Sequence, residues 1–144
     1  MPWNEIKNQI DVDSFNEGFG NFHDSCLKEL WFSSGGYVNE DYRMNPISNP
    51  IARLIFQRQS VKLSNIEIEF KDVIQINVKP VPLNHGVDII QTHLYYENGV
   101  FFLSDKDYEY SENGKDKSTW IAAKTVRWRK IDIGLGKDNY YIVD

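Results

Sequence analysis

The chain has 144 residues, a formal net charge of −5 and one cysteine. That length fits a single domain over residues 1–144, able to bury roughly 70% of its extended surface without a disulfide or a metal. The acidic balance argues against nucleic-acid binding, which shows a basic surplus. No apolar run approaches the roughly 20 residues of a membrane helix.

The apolar residues set the fold class. Fifteen Ile, ten Val and twenty aromatic residues stand against eight Leu and three Ala. The first group suits a pleated, half-buried surface and the second suits helices, so the composition excludes a helix bundle. Disorder is excluded by the 41% hydrophobic content. The N-terminus, MPWNEIKNQIDVD, carries acidic residues where a signal peptide needs a basic start and an apolar core, so a soluble cytoplasmic protein is expected.

In chain order, Trp3, Ile6 and Ile10 at i, i+3 and i+7 predict a short amphipathic helix, and Asp11–Gly20 reads as loop. Ser25–Phe32 is a strand with Cys26, Lys28, Leu30 and Phe32 on one face and Leu27, Glu29 and Trp31 on the other. Gly35-Gly36 supplies a turn before Tyr37-Val38, and residues 45–50 read as loop. Ile51–Gln59 is the next strand. Ile66, Ile68 and Phe70 then alternate with Glu67 and Glu69, the cleanest period-2 signal present, and Ile74, Ile76 and Val78 continue it until Pro80 and Pro82. Asn84-His85-Gly86 is a turn.

Asp88–Glu97 alternates Ile90, Thr92, Leu94 and Tyr96, and Asn98-Gly99 joins it to Val100–Leu103 through the strongest short hairpin signal. A second Asn-Gly at 113–114 links Tyr108–Ser111 to Thr119–Ile131, where Trp120, Ala122, Val126 and Trp128 share a face with Lys124, and Arg127 and Arg129 point the other way. Tyr140–Val143 suits a final edge strand. About eight strands result, predicting a mainly β antiparallel sandwich or open barrel with a short N-terminal helix. The alternative is α+β with residues 87–96 helical.

Charge is uneven along the second half. Residues 97–116 hold six acids and two bases, and residues 117–130 hold five bases and no acid. The simplest expectation is mutual neutralisation across a hairpin.

Three function classes follow. His23, Asp24 and Cys26 form the densest reactive cluster, and a Cys nucleophile needs a base within hydrogen-bond reach. On a strand, residues three apart face opposite sides, so a small buried Cys26 with His23 and Asp24 tying down the strand entry is the plainer expectation. Metal-ligand spacings such as HExxH or CxxC are absent, and so are complete phosphate-loop and GxSxG motifs, so neither cofactor nor metal is expected. Tyr95, Tyr96, Phe101, Phe102, Trp120 and Trp128 suit an aromatic-lined pocket for a small ligand, or simply a core. An interaction protein is the favoured class, ahead of the ligand-binding fold and then the enzyme, with Glu40, Asp41, Asp105, Asp107, Glu109 and Glu112 as acidic surface for a protein partner.

The run from Asn21 to Leu30, NFHDSCLKEL, resembles the opening of a group of small uncharacterised bacterial proteins that begin Phe-His-Asp-Ser/Ala before a first strand. The strand at Ala52–Gln59 and the step Phe70-Lys71-Asp72-Val73 extend the resemblance over the first half of the chain. Some of those proteins are immunity-protein-like. The resemblance therefore implies a protein partner and brings no catalytic residues with it.

Overall fold

Strand-forming composition and alternation produce, among the described residues, an open antiparallel sheet of seven strands with one α-helix against it. The computed structural model describes residues 2–59, 61, 64–80, 92–105, 118–133 and 136–141. Its strands are β1 Asn4–Ile6, β2 Ser25–Ser33, β3 Tyr37–Val38, β4 Met44–Asn45, β5 Ile51–Arg58, β6 Asn65–Asn77, β7 His93–Glu97, β8 Val100–Ser104 and β9 Trp120–Lys130. Seven of them form a sheet in the order β2-β5-β6-β9-β8-β7, with β1 also paired to β9, and β3 and β4 form a separate hairpin. Strands β1 and β8 lie end to end along one edge of β9, opposite Val126–Trp128 and Trp120–Ala123 respectively.

The N-terminus differs from expectation. Residues 4–6 are strand, and the helix α1 covers Gln9–Gly18, overlapping the expected helix only at Gln9 and Ile10 and otherwise lying in the stretch read as loop. Asn8 caps α1 by accepting from the Asp11 backbone N–H at 2.9 Å, and the Asp11 carboxylate accepts from the Lys7 N–H at 2.9 Å. These bonds satisfy donors that a helix start leaves open. The buried residues are Val12, Phe15 and Phe19, again at i, i+3 and i+7, whereas Ile10 is 76% exposed.

Two irregularities decide which side chains face inward. A bulge between Leu27 and Glu29 places Leu27, Leu30 and Phe32 opposite the core residues Phe56, Leu54 and Ala52, and sends Glu29 and Trp31 to the other face. This resolves the mixed faces read from the sequence. Near Asp72, at a positive φ of 53°, the inward set of β9 changes from Val126 and Trp128 to Ile121 and Ala123. Trp120 and Ala122 consequently join a second small cluster with Phe102 and do not share the face of Val126 and Trp128.

Asn98 and Gly99 have φ of 52° and 77°, as a type I′ turn requires, and connect β7 to β8. Residues 93–97 are strand, so the helical alternative for 87–96 fails over 93–96, and 87–91 lie outside the described residues. Tyr140 and Tyr141 are not strand. The expected turn at 84–86, strand at 108–111 and Asn113-Gly114 turn also lie outside the described residues.

Helix α1 and the 3₁₀ turn Gly20–Phe22 cover one face of the sheet. Phe15, Phe19 and Phe22 stack among themselves and onto Phe56 and Trp128, with ring centroids 4.7–5.6 Å apart for the nearest pairs. Phe22 is fully buried although its φ is +54°. A left-handed φ costs a non-glycine residue roughly 1–2 kcal/mol, about what burying a phenylalanine returns.

Candidate functional site

The reactive cluster sits at the entry to β2. His23 Nδ1 lies 3.1 Å from Asp24 Oδ2, and both side chains are more than half exposed. Cys26 is partly buried on β2, paired with Gln57. Phe22 anchors this segment in the core, the Ser25 hydroxyl donates to the Phe22 carbonyl, and the Asp24 carbonyl accepts from the Gln59 N–H. In the Phe-His-Asp-Ser run, then, Phe22 and Ser25 fix the chain while His23 and Asp24 face outward. Among the described residues no group of three or more His, Cys, Asp or Glu is placed to hold a metal.

On the sheet face away from α1 lies an ion network that alternation alone did not reveal. Glu67 and Glu69 are 0% and 1% exposed. Register sets Arg53, Glu69, Arg127 and Glu5 side by side across β5, β6, β9 and β1. Glu69 accepts from Arg53 Nε at 2.8 Å and from Arg127 at 2.7 Å, with Lys71 3.6 Å away. Burial pushes the Glu69 carboxyl up, but the Arg127 hydrogen bond and the charges of Arg127, Arg53 and Lys71 outweigh it, so it is held below its ordinary value.

Glu67 accepts from Arg129 Nε at 2.8 Å on one oxygen, and its other oxygen has no hydrogen-bond partner among the described residues. Arg129 also donates to the Tyr141 hydroxyl at 2.8 Å, and the Tyr141 N–H donates to Glu29 at 2.7 Å. The Trp3 ring lies 4.2 Å from both the Arg127 and Arg129 guanidinium groups. Arg127 and Arg129 of β9 are therefore neutralised by Glu69 and Glu67 of β6 and by Glu5 of β1. This network is closed over by its own side chains and binds the sheet to both ends of the chain.

The exposed apolar surface is elsewhere. Of the thirteen exposed large hydrophobic residues among those described, eight fall between Leu30 and Ile47. They occupy the end of edge strand β2 and the arm formed by β3 and β4. Gly35 closes the base of that arm: its φ is 83°, and a Cβ there would meet the Asn49 backbone at 2.8 Å. Asn49 N–H donates to the Ser34 carbonyl at 3.1 Å. At the tip the Asn39 side chain accepts from the Asp41 and Arg43 N–H groups, both at 3.0 Å, and Asn45 donates to the Tyr37 hydroxyl at 2.7 Å.

Polar bonds thus hold the arm in shape, while Tyr37, Val38, Tyr42 and Met44 are exposed and belong to neither buried cluster. Glu40 and Asp41 stand exposed at the same tip. Of the other acidic candidates, Asp105 accepts from the Thr119 N–H at 3.1 Å and so closes the β8–β9 ladder. Asp107, Glu109 and Glu112 lie outside the described residues.

The aromatic residues expected to line a pocket are divided. Phe101, Tyr96 and Trp128 belong to the main core, and Phe102, Trp120 and Tyr95 to the second cluster. A cavity of about 330 Å³ opens on the core side between β2 and β8, and Trp120 is the one of the six that lines it. A shallower groove of about 930 Å³ runs between α1 and β7–β8, past Tyr95, Tyr96 and Phe102.

Comparison of the chain with protein-family models, with curated proteins and with solved structures gives no match. Among the described residues no helix is long and apolar enough to cross a membrane.

Proposed function

We propose that this chain is a protein-interaction module that binds a basic protein partner through the β3–β4 arm and the adjoining end of β2. The observation that carries this reading is the concentration of exposed apolar side chains on a preshaped arm. An isolated two-stranded hairpin has marginal stability in water, and exposed apolar groups gathered in one place mark interaction surfaces. Trp31 takes the face of β2 opposite to Leu30 and Phe32, so the arm is counted by itself. At about 150–250 Å² for each full aromatic side chain, Tyr37, Val38, Tyr42 and Met44 expose on the order of 500 Å², a large part of the ~800 Å² one partner contributes to a standard interface.

Glu40 and Asp41 at the tip and the net charge of −5 favour a partner of opposite sign, because charge complementarity steers encounter. An immunity-like role, masking a basic toxin, is the form of this reading that the Phe-His-Asp-Ser resemblance supports. A photo-crosslinking residue placed at Tyr42 in the native host tests it. The expected result is one dominant protein adduct, weakened by Tyr37→Ser and Met44→Ser. The control position is Ile10, exposed on α1 away from the arm. Absence of an adduct from position 42, or the same adducts from position 10, would overturn the proposal.

A further inference from the structure

Strand β2 ends the sheet, and no described strand pairs with it on the side away from β5. Its first half is blunted by the bulge between Leu27 and Glu29 and by Lys28, whose Nζ donates to the Gly136 carbonyl at 3.0 Å and lies 5.2 Å from the Tyr140 ring. Past the bulge, Leu30, Trp31 and Phe32 are 38%, 39% and 49% exposed, although they alternate between the two faces of the sheet. Exposure on both faces at once marks a strand without an outer neighbour. The backbone N–H and C=O groups on the outer side of such a strand are a template for a further one.

The two faces of this edge differ in chemistry. On the core side Leu30 borders the cavity together with Leu27, Leu54 and Phe56, so a side chain laid beside Leu30 meets apolar surface. On the other side stand Trp31 and Glu29. The Glu29 carboxylate accepts from the Tyr141 N–H, a neutral donor that leaves its charge in place. The Trp31 ring has the Arg53 guanidinium 5.4 Å from its centre, and Arg53 is bonded to Glu69. An indole has two faces, and Trp3 already carries two guanidinium groups at 4.2 Å each. A basic side chain laid beside Trp31 and Glu29 gains a ring face and a carboxylate, whereas an acidic one is repelled by both. Glu40 and Asp41, on the arm that continues from β2, carry the same sign.

We propose that Leu30–Ser33 takes an extended segment of the partner by strand addition, with apolar side chains of that segment on the cavity side and Lys or Arg side chains over Trp31 and Glu29. This rests on the partner-binding reading of the arm and says how the partner is held. The edge selects apolar and basic residues in alternation, the period of a strand.

Titration of the whole chain with a short peptide of alternating Val and Arg, followed by backbone amide NMR, tests it. Saturable shifts are expected across Leu30–Ser33, with none at His93–Glu97 on the opposite end of the sheet. Exchanging the Arg residues of the peptide for Glu is expected to weaken binding roughly tenfold or more. Two further peptides carry N-methyl groups, one on its Val residues and one on its Arg residues, so that each loses the N–H groups of a single edge. One is expected to bind like the parent peptide and the other to lose binding, because only one edge of an added strand faces β2. Trp31→Leu is expected to weaken binding roughly three- to tenfold.

Should Trp31→Leu fail to fold, the four peptides on the unaltered chain still decide the matter. Absence of saturable shifts at Leu30–Ser33, equal binding of the Glu peptide, equal binding of the two N-methylated peptides, or undiminished binding to a folded Trp31→Leu variant would each overturn the proposal. Such a failure with the crosslink from position 42 intact overturns strand addition alone, whereas loss of that crosslink overturns the reading on which it rests.

Discussion

The most consequential single residues are two glutamates that sequence periodicity places on an outward face. Glu67 and Glu69 do point away from α1, but both are buried, and their partners Arg53, Arg127 and Arg129 come from the neighbouring strands. Alternation shows which side of a strand a residue takes. It does not show that residues 2–6 and 136–141 lie near that side, and the register joining Glu67 to Arg129 spans 62 positions. Removing one member of such a pair leaves a buried charge without its donor, which costs about 3–5 kcal/mol, whereas removing both is far milder. Chemical denaturation should therefore show Arg129→Met strongly destabilised and the double variant Glu67→Leu/Arg129→Met substantially recovered.

Glu69 supplies a pH dependence whose sign is fixed. Its folded pKa lies below the ordinary value of 4.5, so its stabilising contribution is fully present above that value. It is lost as pH falls through the lowered folded value. Thermal denaturation should show Glu69→Gln less stable than the parent at pH 7, with the gap narrowing below about pH 4.5. A gap that stays constant into acid would show that Glu69 is not held ionised by its arginines.

At the scale of elements, legibility followed the regularity of the signal. Strands β5, β6 and β8, and the hairpin at Asn98-Gly99, read directly because alternation and turn chemistry agree there. Helix α1 was hidden because Val12, Phe15 and Phe19 are set among Asp, Ser, Asn and Gly, the usual vocabulary of a loop. The usable signal was Asn8 followed three residues later by Asp11, a cap ahead of an apolar spacing of three and four. The arm could not be read as a site at all. Tyr37, Val38 and Met44 look like core residues in the sequence, and only their position beyond the sheet leaves them exposed. Gly35→Ala should disturb the arm alone, since the new methyl meets the Asn49 backbone and φ is 83°. The expected outcome is a small loss of global stability with marked weakening of the crosslink from position 42. An unchanged adduct would show that the arm's shape is immaterial to binding.

For the whole molecule, one sheet does two jobs because its two faces are chemically different. The face under α1 carries the aromatic and aliphatic core, and residues of β2 and β8 both border the cavity on that side. The opposite face carries the arginine and glutamate network, on which Trp3 and Tyr141 rest. The candidate sites are set at the margin of this frame: the arm at the end of β2, and the outer edge of β2 beside the cavity. Composition foretold the sheet because Ile, Val and aromatic side chains are its material. It could not foretell the cavity, because a hollow depends on how far a sheet curls, which no local pattern records.

The two ends of the sheet also differ. At β7 the Asn16 side chain both donates to the Leu94 carbonyl and accepts from the Leu94 N–H, each at 2.9 Å, occupying backbone groups that another strand would need. At β2 no described strand takes the outer position, and the bulge with Lys28 blunts only its first half. Among the described residues, β2 is therefore the more open of the two edges. A segment laid along Leu30–Ser33 would meet an edge that no described strand occupies, whereas on β7 the Asn16 side chain already holds both backbone groups of Leu94. Strand pairing that uses one edge of a sheet adds a single segment, which separates recognition by strand pairing from the open-ended stacking that leads to fibres.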